Sequence, residues 1–273
     1  MSFRSRGGIS RKQRIATAFG TAAATYDRAA AVQRQVAERL AQSVMARIRA
    51  TPPPAGAGLD LGCGTGYLSV SLLPCLPSAT TPWLLADLSE NMVRRAQTRL
   101  QTMGRTGIGV VMDGERPALP DCSCALIVSS LAIQWFENPL VSLTGLCRLL
   151  RPGGLLACAT LSAGSFAEWR QAAAACGVAH GMPPYPAAAA WSAAAPPGFA
   201  SQVEVRSLRV IPPGGPREFL RDLKQLGAHV PASGHAPVST GHFRRLLRFW
   251  ENREETFAVT YQIAYILVER LEA

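Results

Sequence analysis

Lysine is nearly missing from this chain of 273 residues: Lys12 and Lys224 are the only two, although the formal net charge is +10. Arginine therefore carries the positive charge, and such a basic balance suits an acidic partner, either nucleic acid or an acidic carrier protein. Long apolar runs are absent as well. None reaches the roughly 18 residues that a membrane span needs, so no membrane association is expected. The basic start from Met1 to Arg6 is not followed by an apolar segment, which argues against a secretory signal and for a cytoplasmic protein. The seven cysteines (Cys63, Cys75, Cys122, Cys124, Cys147, Cys158 and Cys176) include no C-x-x-C pair. No histidine stands near Cys122 and Cys124 at zinc-finger spacing, so no metal site is expected. Buried, reduced thiols are the expected state of these residues. Histidine is scarce, and His180, His229, His235 and His242 all lie in the C-terminal half.

What is present is a globular balance of 48% hydrophobic and 17% charged residues, which excludes a disordered chain. The length suffices for one large α/β domain with its own core. From Arg11 to about Arg49 apolar residues recur at helical spacing, first Ile15, Phe19, Ala22 and Tyr26, then Val32, Val36, Leu40 and Val44. Two helices broken near Gly20 or Asp27 are predicted, the second ended by Pro52, Pro53 and Pro54. Short apolar strands are predicted at 58–61, 83–87, 108–112, 125–129 and 154–160, alternating with helices, which implies parallel pairing. Ser89 is the expected N-cap of the helix after the second strand. The alanine-, proline- and glycine-rich stretch from Cys176 to about Phe199 reads as a partly helical excursion over or beside the site. Residues 203–211 and 257–268 are β-rich, with helical stretches at 217–227 and 242–250 between them.

The chemistry is concentrated after the first strand. Asp60-Leu-Gly-Cys-Gly-Thr-Gly66 sets glycines at Gly62, Gly64 and Gly66, where a backbone can turn sharply and a ligand can lie against the main chain without meeting a Cβ. A dinucleotide fingerprint would be G-x-G-x-x-G with its last glycine beside a pyrophosphate, but Tyr67 stands there. The shorter loop suits a ligand without phosphate, such as S-adenosylmethionine. Asp87, 25 positions after Gly62 at the end of the second strand, is placed to accept both hydroxyls of an unmodified ribose. Asp113, just after the third strand, is placed to accept the adenine amino group, with Leu88, Gly114 and Ser129 completing the expected cofactor site. Glycine-rich turns, N-cap acids and turn acids are each common; all three at the matching strand ends are not.

With Arg151-Pro-Gly-Gly154 ahead of the fifth strand, the stretch from Gly58 to Thr160 resembles the class I methyltransferase family. That resemblance implies a Rossmann-like α/β fold, a mostly parallel seven-stranded sheet with helices on both faces. It also implies residues 1–50 as an N-terminal helical segment of the acceptor site, and 51–273 as the methyltransferase domain with a lid-like insertion around 176–250. Four further segments resemble the malonyl-[acyl-carrier-protein] O-methyltransferases of biotin synthesis. They are Phe19-Gly-Thr-Ala-Ala-Ala-Thr-Tyr-Asp27 with Ala31-Val-Gln-Arg34, Ile127-Val-Ser-Ser-Leu-Ala-Ile-Gln-Trp135, Phe219-Leu-Arg-Asp-Leu-Lys-Gln-Leu-Gly-Ala228 and Val259-Thr-Tyr261. Members often carry asparagine where Ser130 stands. The implied reaction is methyl transfer to the free carboxylate of a malonyl group held by acyl carrier protein, with malonyl-coenzyme A as an alternative acceptor.

Such an acceptor needs no general base, because a carboxyl group with a pKa of roughly 3 to 4 is already ionised at neutral pH. It does need a holder. Arg221 and Lys224, at helical i and i+3, are the expected clamp, and Tyr26 and Tyr261 are expected to hydrogen-bond the carboxylate or close over the methyl group. Gln134 and Trp135 are expected to line the acceptor site. Arg244, Arg245 and Arg248 form a candidate docking face for an acidic carrier, or simply a solvated helix face. Another small-molecule methyltransferase would keep the loop and its acids without needing Arg221. A nucleic-acid methyltransferase is permitted by the charge, but Ser129-Ser-Leu-Ala occupies the place of the Asn/Asp-Pro-Pro-Tyr/Phe motif of base methylases, and no nucleic acid is expected as a partner. A non-catalytic cofactor-binding module is the third alternative, and a monomer is the expected state.

Overall fold

The computed structural model describes residues 9–76, 80–235, 238–251, 253 and 256–272. The basic start at Met1 to Arg6 lies outside them. Three helices come first: α1 (Arg11–Ala22), the single turn α2 (Tyr26–Ala29) and α3 (Ala31–Ala50). Ser10 begins α1 with a reciprocal cap, its side chain accepting from the Gln13 N–H while the Gln13 side chain accepts from its own. The helix runs through Gly20, and the chain turns at residues 23–25.

Then follow β1 (Ala57–Leu61), α4 (Tyr67–Leu72), β2 (Trp83–Asp87), α5 (Glu90–Thr102), β3 (Ile108–Val111), β4 (Cys124–Ser130), α6 (Pro139–Cys147) and β5 (Leu150–Leu161). The chain closes with α7 (Ala167–Ala175), α8 (Ala188–Ala193), β6 (Phe199–Val210), α9 (Gly215–Gln225), α10 (Thr240–Glu251) and β7 (Val259–Arg270). Ser89 caps α5 as expected, accepting from the Met92 N–H. The seven strands form one sheet in the order β3-β2-β1-β4-β5-β7-β6. All neighbours are parallel except β7, which runs antiparallel to both β5 and β6. The strand order reverses between β1 and β4, and in open parallel sheets the crevice at that reversal, beyond the carboxyl ends of the strands, is where ligands bind.

Both faces of the sheet are covered, which is why its central strands read as unbroken apolar runs. Leu126, Val128, Leu155 and Ala157 point to one face, against Val36, Leu40 and Val44 of α3 and Trp169 of α7. Ile127, Leu156 and Cys158 point to the other, against Leu143 and Leu146 of α6 and Trp191 of α8. Within 176–250, β6 is thus a strand of the sheet and Trp191 belongs to the core, while residues 178–185 and the two helices α9 and α10 remain near the site. Five of the cysteines are buried; Cys75 and Cys122 are exposed, contrary to the expectation that all would be buried, because both lie in turns outside the packed layers.

Trp191 has no exposed surface, and its indole Nε1 has no hydrogen-bond partner among the described residues. Its contribution is therefore packing alone. Trp191→Ala is expected to lower stability by about 3–5 kcal/mol in urea unfolding, while Trp191→Phe, which forfeits no hydrogen bond, should cost clearly less.

Candidate active site

At the end of β1 the chain turns through Gly62, Gly64 and Gly66, all with positive φ. Two of these positions explain the glycines. A Cβ on Gly62 would sit 2.2 Å from the Cβ of Ala132, whereas a Cβ on Gly64 would meet nothing within 4 Å, so Gly64 borders open space. The Gly62 and Cys63 N–H groups donate to the Ala86 carbonyl at 2.8 and 2.9 Å, which ties the loop to β2. Asp87 finishes the tie: its carboxylate accepts from the Gly64 N–H at 3.1 Å and from the Ser89 N–H at 2.8 Å. Burial pushes its carboxyl up to about 6 despite these donors.

Beyond this loop lies a crevice of about 80 Å³ bordered by Gly62, Gly64, Asp87, Leu88, Asp113 and Gly114. Helix α1 roofs it with Lys12, Ile15 and Phe19. Lys12 reaches across to Asp113 at 2.7 Å and Glu115 at 2.5 Å, a contact that no local sequence signal announces. Next to the crevice is a larger cavity of about 410 Å³. The two spaces share Phe19, Tyr26, Leu131 and Trp135, so one wall separates them. Phe19 and Trp135 meet edge to face with centroids 5.3 Å apart, and Phe19 lies 6.5 Å from Tyr26. Phe166 supports Tyr261 in the same way at 4.7 Å.

Residues 59–158 match the family described as Methyltransferase domain. The bifunctional biotin-biosynthesis protein BioCD of Bordetella avium is 40% identical over 252 residues, which are 92% of this chain and 51% of that protein. The chain thus spans about half the length of that relative. A malonyl-[acyl-carrier protein] O-methyltransferase of Magnetococcus marinus is 37% identical over 265 residues, covering 97% of this chain and 95% of that one. The chain belongs to the malonyl-[acyl-carrier protein] O-methyltransferase family. A crystal structure of a methyltransferase from Bacillus halodurans shares the fold, with a TM-score of 0.58 at 14% identity over 84% of this chain and 99% of that one. The protein is an S-adenosylmethionine-dependent O-methyltransferase.

Within this methyltransferase, the cofactor residues expected from the sequence divide into two groups. Gly62, Gly64, Asp87, Leu88, Asp113 and Gly114 border the crevice. Asp60, Gly66 and Ser129 do not. Asp60 is buried below the loop, where it accepts from Ser69 Oγ at 2.5 Å, and Ser69 in turn accepts from Trp83 Nε1 at 2.9 Å. Gly66 starts α4, with Ala96 of α5 packed close against it. Ser129 is buried and donates to the Leu61 carbonyl at 2.7 Å; its neighbour Ser130, pointing the opposite way along the strand, borders the crevice instead.

The acceptor residues divide likewise. Tyr26 and Tyr261 line the large cavity, and burial pushes both phenols up, so they remain protonated donors. Gln134 and Trp135 line it too, with Gln134 fixed at both ends by the Leu131 carbonyl and the Thr160 hydroxyl. Arg221 and Lys224 are not brought to it. Helix α9 turns Leu220 and Leu223 to the cavity and buries Phe219, which leaves the other face, with an exposed Arg221 paired to Glu218 at 3.8 Å, toward solvent. Sequence reasoning missed His180, Tyr185, His229 and His235, all of which line the cavity. They sit in irregular segments without periodicity, and distance from the glycine loop in sequence concealed their nearness to it in space.

Burial pushes the Asp60 carboxyl up to about 7, while in the unfolded chain its value is near 3.8. The folded form keeps a proton that the unfolded chain loses, so this group favours folding fully below about pH 4 and the benefit is lost as pH rises through about 7. Asp60→Asn still offers Ser69 an acceptor and does not titrate. Its melting temperature relative to wild type should therefore rise between pH 4 and 7 and level off above; a difference that stays flat across this range would show that the buried carboxyl does not titrate as described.

Proposed function

We propose that the protein methylates the free carboxylate of a malonyl group carried on acyl carrier protein, giving the malonyl methyl ester. The observation that carries the reading is the pair of adjoining spaces: a crevice built on the glycine loop, and a cavity divided from it only by Phe19, Tyr26, Leu131 and Trp135. The curated relatives named for this reaction support it. The crevice suits a nucleoside without phosphate. In this reading Asp87 accepts the ribose hydroxyls, Asp113 and Gly114 read the adenine edge, and Gly64 leaves room for the amino-acid arm. Asp60 and Ser129 act beneath the surface, holding α4 and β4 in register with the loop. When bound, the cofactor supplies a methyl group on a sulfonium: the new carboxylate O–CH3 bond forms as the S–CH3 bond breaks, the electron pair stays on sulfur, and no proton moves.

What the chain itself contributes is placement and dryness. Holding two reactants in line is worth effective molarities on the order of 10⁵–10⁸ M. The transition state neutralises an anion and a cation, so the aromatic wall that excludes water around them favours it. Tyr26 lines both spaces and is the natural donor to the carboxylate as it approaches. No base is required, and none is assigned.

The carrier accounts for the arginines outside the cavity. Phe243 of α10 lines the cavity, and Arg244 and Arg248 beside it are exposed and have no ion-pair or hydrogen-bond partner among the described residues. With Arg221 and Lys224 on the outward face of α9, they form a basic surface next to the cavity, complementary to an acidic carrier. Arg221 is thus read as a docking residue and not as a clamp on the substrate.

Purified protein is expected to transfer methyl groups to malonyl-carrier protein when this is offered beside malonyl-coenzyme A, a longer dicarboxylate and transfer RNA. Methylation of transfer RNA alone would overturn the assignment. Asp87→Ala should lose cofactor binding by about 100-fold or more in calorimetry, since two charge-assisted hydrogen bonds disappear together. A double charge reversal, Arg221→Glu with Arg248→Glu, should raise KM for malonyl-carrier protein at least several-fold and leave KM for malonyl-pantetheine unchanged; an equal rise for both would place these arginines outside any carrier contact.

A further inference from the structure

With Arg221 and Lys224 on the solvent side, the carboxylate needs another source of positive charge. Among the described residues the cavity wall itself contains no lysine or arginine. Two arginines lie directly behind it: Arg11 of α1, held by the Pro231 and Trp135 carbonyls at 3.2 and 2.9 Å, and Arg170, which alone of the two also meets wall side chains. Arg170 of α7 donates through Nε to the Ser165 carbonyl at 3.2 Å and through Nη2 to the Pro183 carbonyl at 2.8 Å, which locks the guanidinium in place. Its Cζ lies 5.6 Å from the ring centroid of Tyr185, and its Nη1 lies 3.3 Å from Nε2 of His180. Both Tyr185 and His180 are wall residues.

The contact between Arg170 and His180 is incomplete as it stands. Nδ1 of His180 accepts from the Met182 N–H at 3.1 Å. Burial, with Arg170 and His235 beside it, holds this imidazole below its ordinary value, so it is neutral near pH 7. With Nδ1 accepting, the single ring proton sits on Nε2. Two donors, Nε2–H and Nη1–H, therefore face each other without an acceptor between them. An anionic oxygen on the cavity side of this corner is met by the Nε2–H directly and attracted by the Arg170 charge from one layer back. The Tyr185 phenol, kept protonated by burial, is a third donor with no hydrogen-bond partner among the described residues.

We infer that Arg170, acting through His180 and Tyr185, is the positioning cation that selects an acceptor with a free carboxylate. This rests on the carboxylate-methylation reading above. The arrangement has a kinetic logic. The carboxylate loses its charge as it reacts, so a direct two-pronged arginine grip would stabilise the ground state most and slow the step. A cation one layer back attracts the anion while a neutral imidazole and a phenol make the contact, leaving one carboxylate oxygen free for attack. After transfer the neutral ester keeps the weaker contacts and loses the attraction, which favours its departure.

The test compares two acceptors of similar size that differ in charge, malonyl-pantetheine and butyryl-pantetheine, binding to the protein saturated with S-adenosylhomocysteine so that no turnover occurs. Wild type should bind the malonyl compound at least about 10-fold more tightly, the scale of one charge-assisted hydrogen bond. Arg170→Met should abolish that preference by weakening malonyl binding alone, Arg170→Lys should restore part of it, and His180→Gln should reduce it to an intermediate value. Unchanged affinity for S-adenosylhomocysteine reports that each variant is folded. Should Arg170→Met fail that check, Arg170→Lys and His180→Gln decide the matter. Equal weakening of both compounds would reveal a purely structural role for Arg170, and retention of the full preference in the variants would refute the inference; in either case the carboxylate reading survives. Wild type without any preference for malonyl over butyryl would instead refute that reading itself.

Discussion

The tie between the glycine loop and the end of β2 is the constraint on which the site depends. The Gly62 and Cys63 N–H groups converge on the Ala86 carbonyl, and the Asp87 carboxylate takes the Gly64 N–H. This holds a run of main chain open side outward at the point where the strand order reverses. The same carboxylate takes the Ser89 N–H and so aligns the start of α5. A half-buried acid with its value raised to about 6 is an expensive element, and it is retained where main-chain donors converge on it. Remove it, and both the loop and the helix start lose their common acceptor.

From that anchor the rest is assembled by the N-terminal helices. Asp27 accepts from the Thr65 hydroxyl at 2.8 Å and pairs with Arg99, and Arg99 lies over the ring of Tyr67 at 4.1 Å. Lys12 binds the acids beyond β3, and Asn91 of α5 donates to the Gly20 carbonyl at 3.1 Å. On the opposite side Thr25 donates to the Gln225 carbonyl, and Gly227 is packed so closely under Ala18 that a Cβ there would come within 2.8 Å of its backbone. Helix α1 therefore rests on the cofactor side and on α9 at once. Its Phe19 forms the wall between the two spaces together with Tyr26 of α2, Leu131 and Trp135.

Among the described residues the cavity wall holds no cation, and the nearest arginines stand behind it or outside it. Arg170 is held behind the cavity by the Ser165 and Pro183 carbonyls and Arg11 by those of Pro231 and Trp135, while the outward Arg221, Arg244 and Arg248 face solvent. A guanidinium desolvated in the wall would lose its partner once esterification removed the carboxylate's charge, leaving a buried cation uncompensated. The basic excess of the chain is thus spread between a fixed inner charge and an exposed outer surface.

The first five strands and their ends, the N-cap at Ser89 and the glycine loop were legible in the sequence, because each rests on local chemistry: short apolar runs, period-3.6 helices, turn residues, and an acid at a strand end; the seven-stranded class I architecture came from the family resemblance. Which neighbour faces the crevice was less legible at the margins. Ser129 and Ser130 differ only in pleat, so a one-residue ambiguity in strand register decides which of them lines the site. The spacing of Arg221 and Lys224 correctly placed them on one helical face, but that face could be identified as outward only once Phe219 had been packed against Phe166, Trp169 and Phe257. His180, Tyr185, His229 and His235 carry no period and no motif. They become a cavity only when α7, α9 and the loops around them close on β7, so their meeting was decided by long-range packing and by nothing that neighbouring residues in the chain encode.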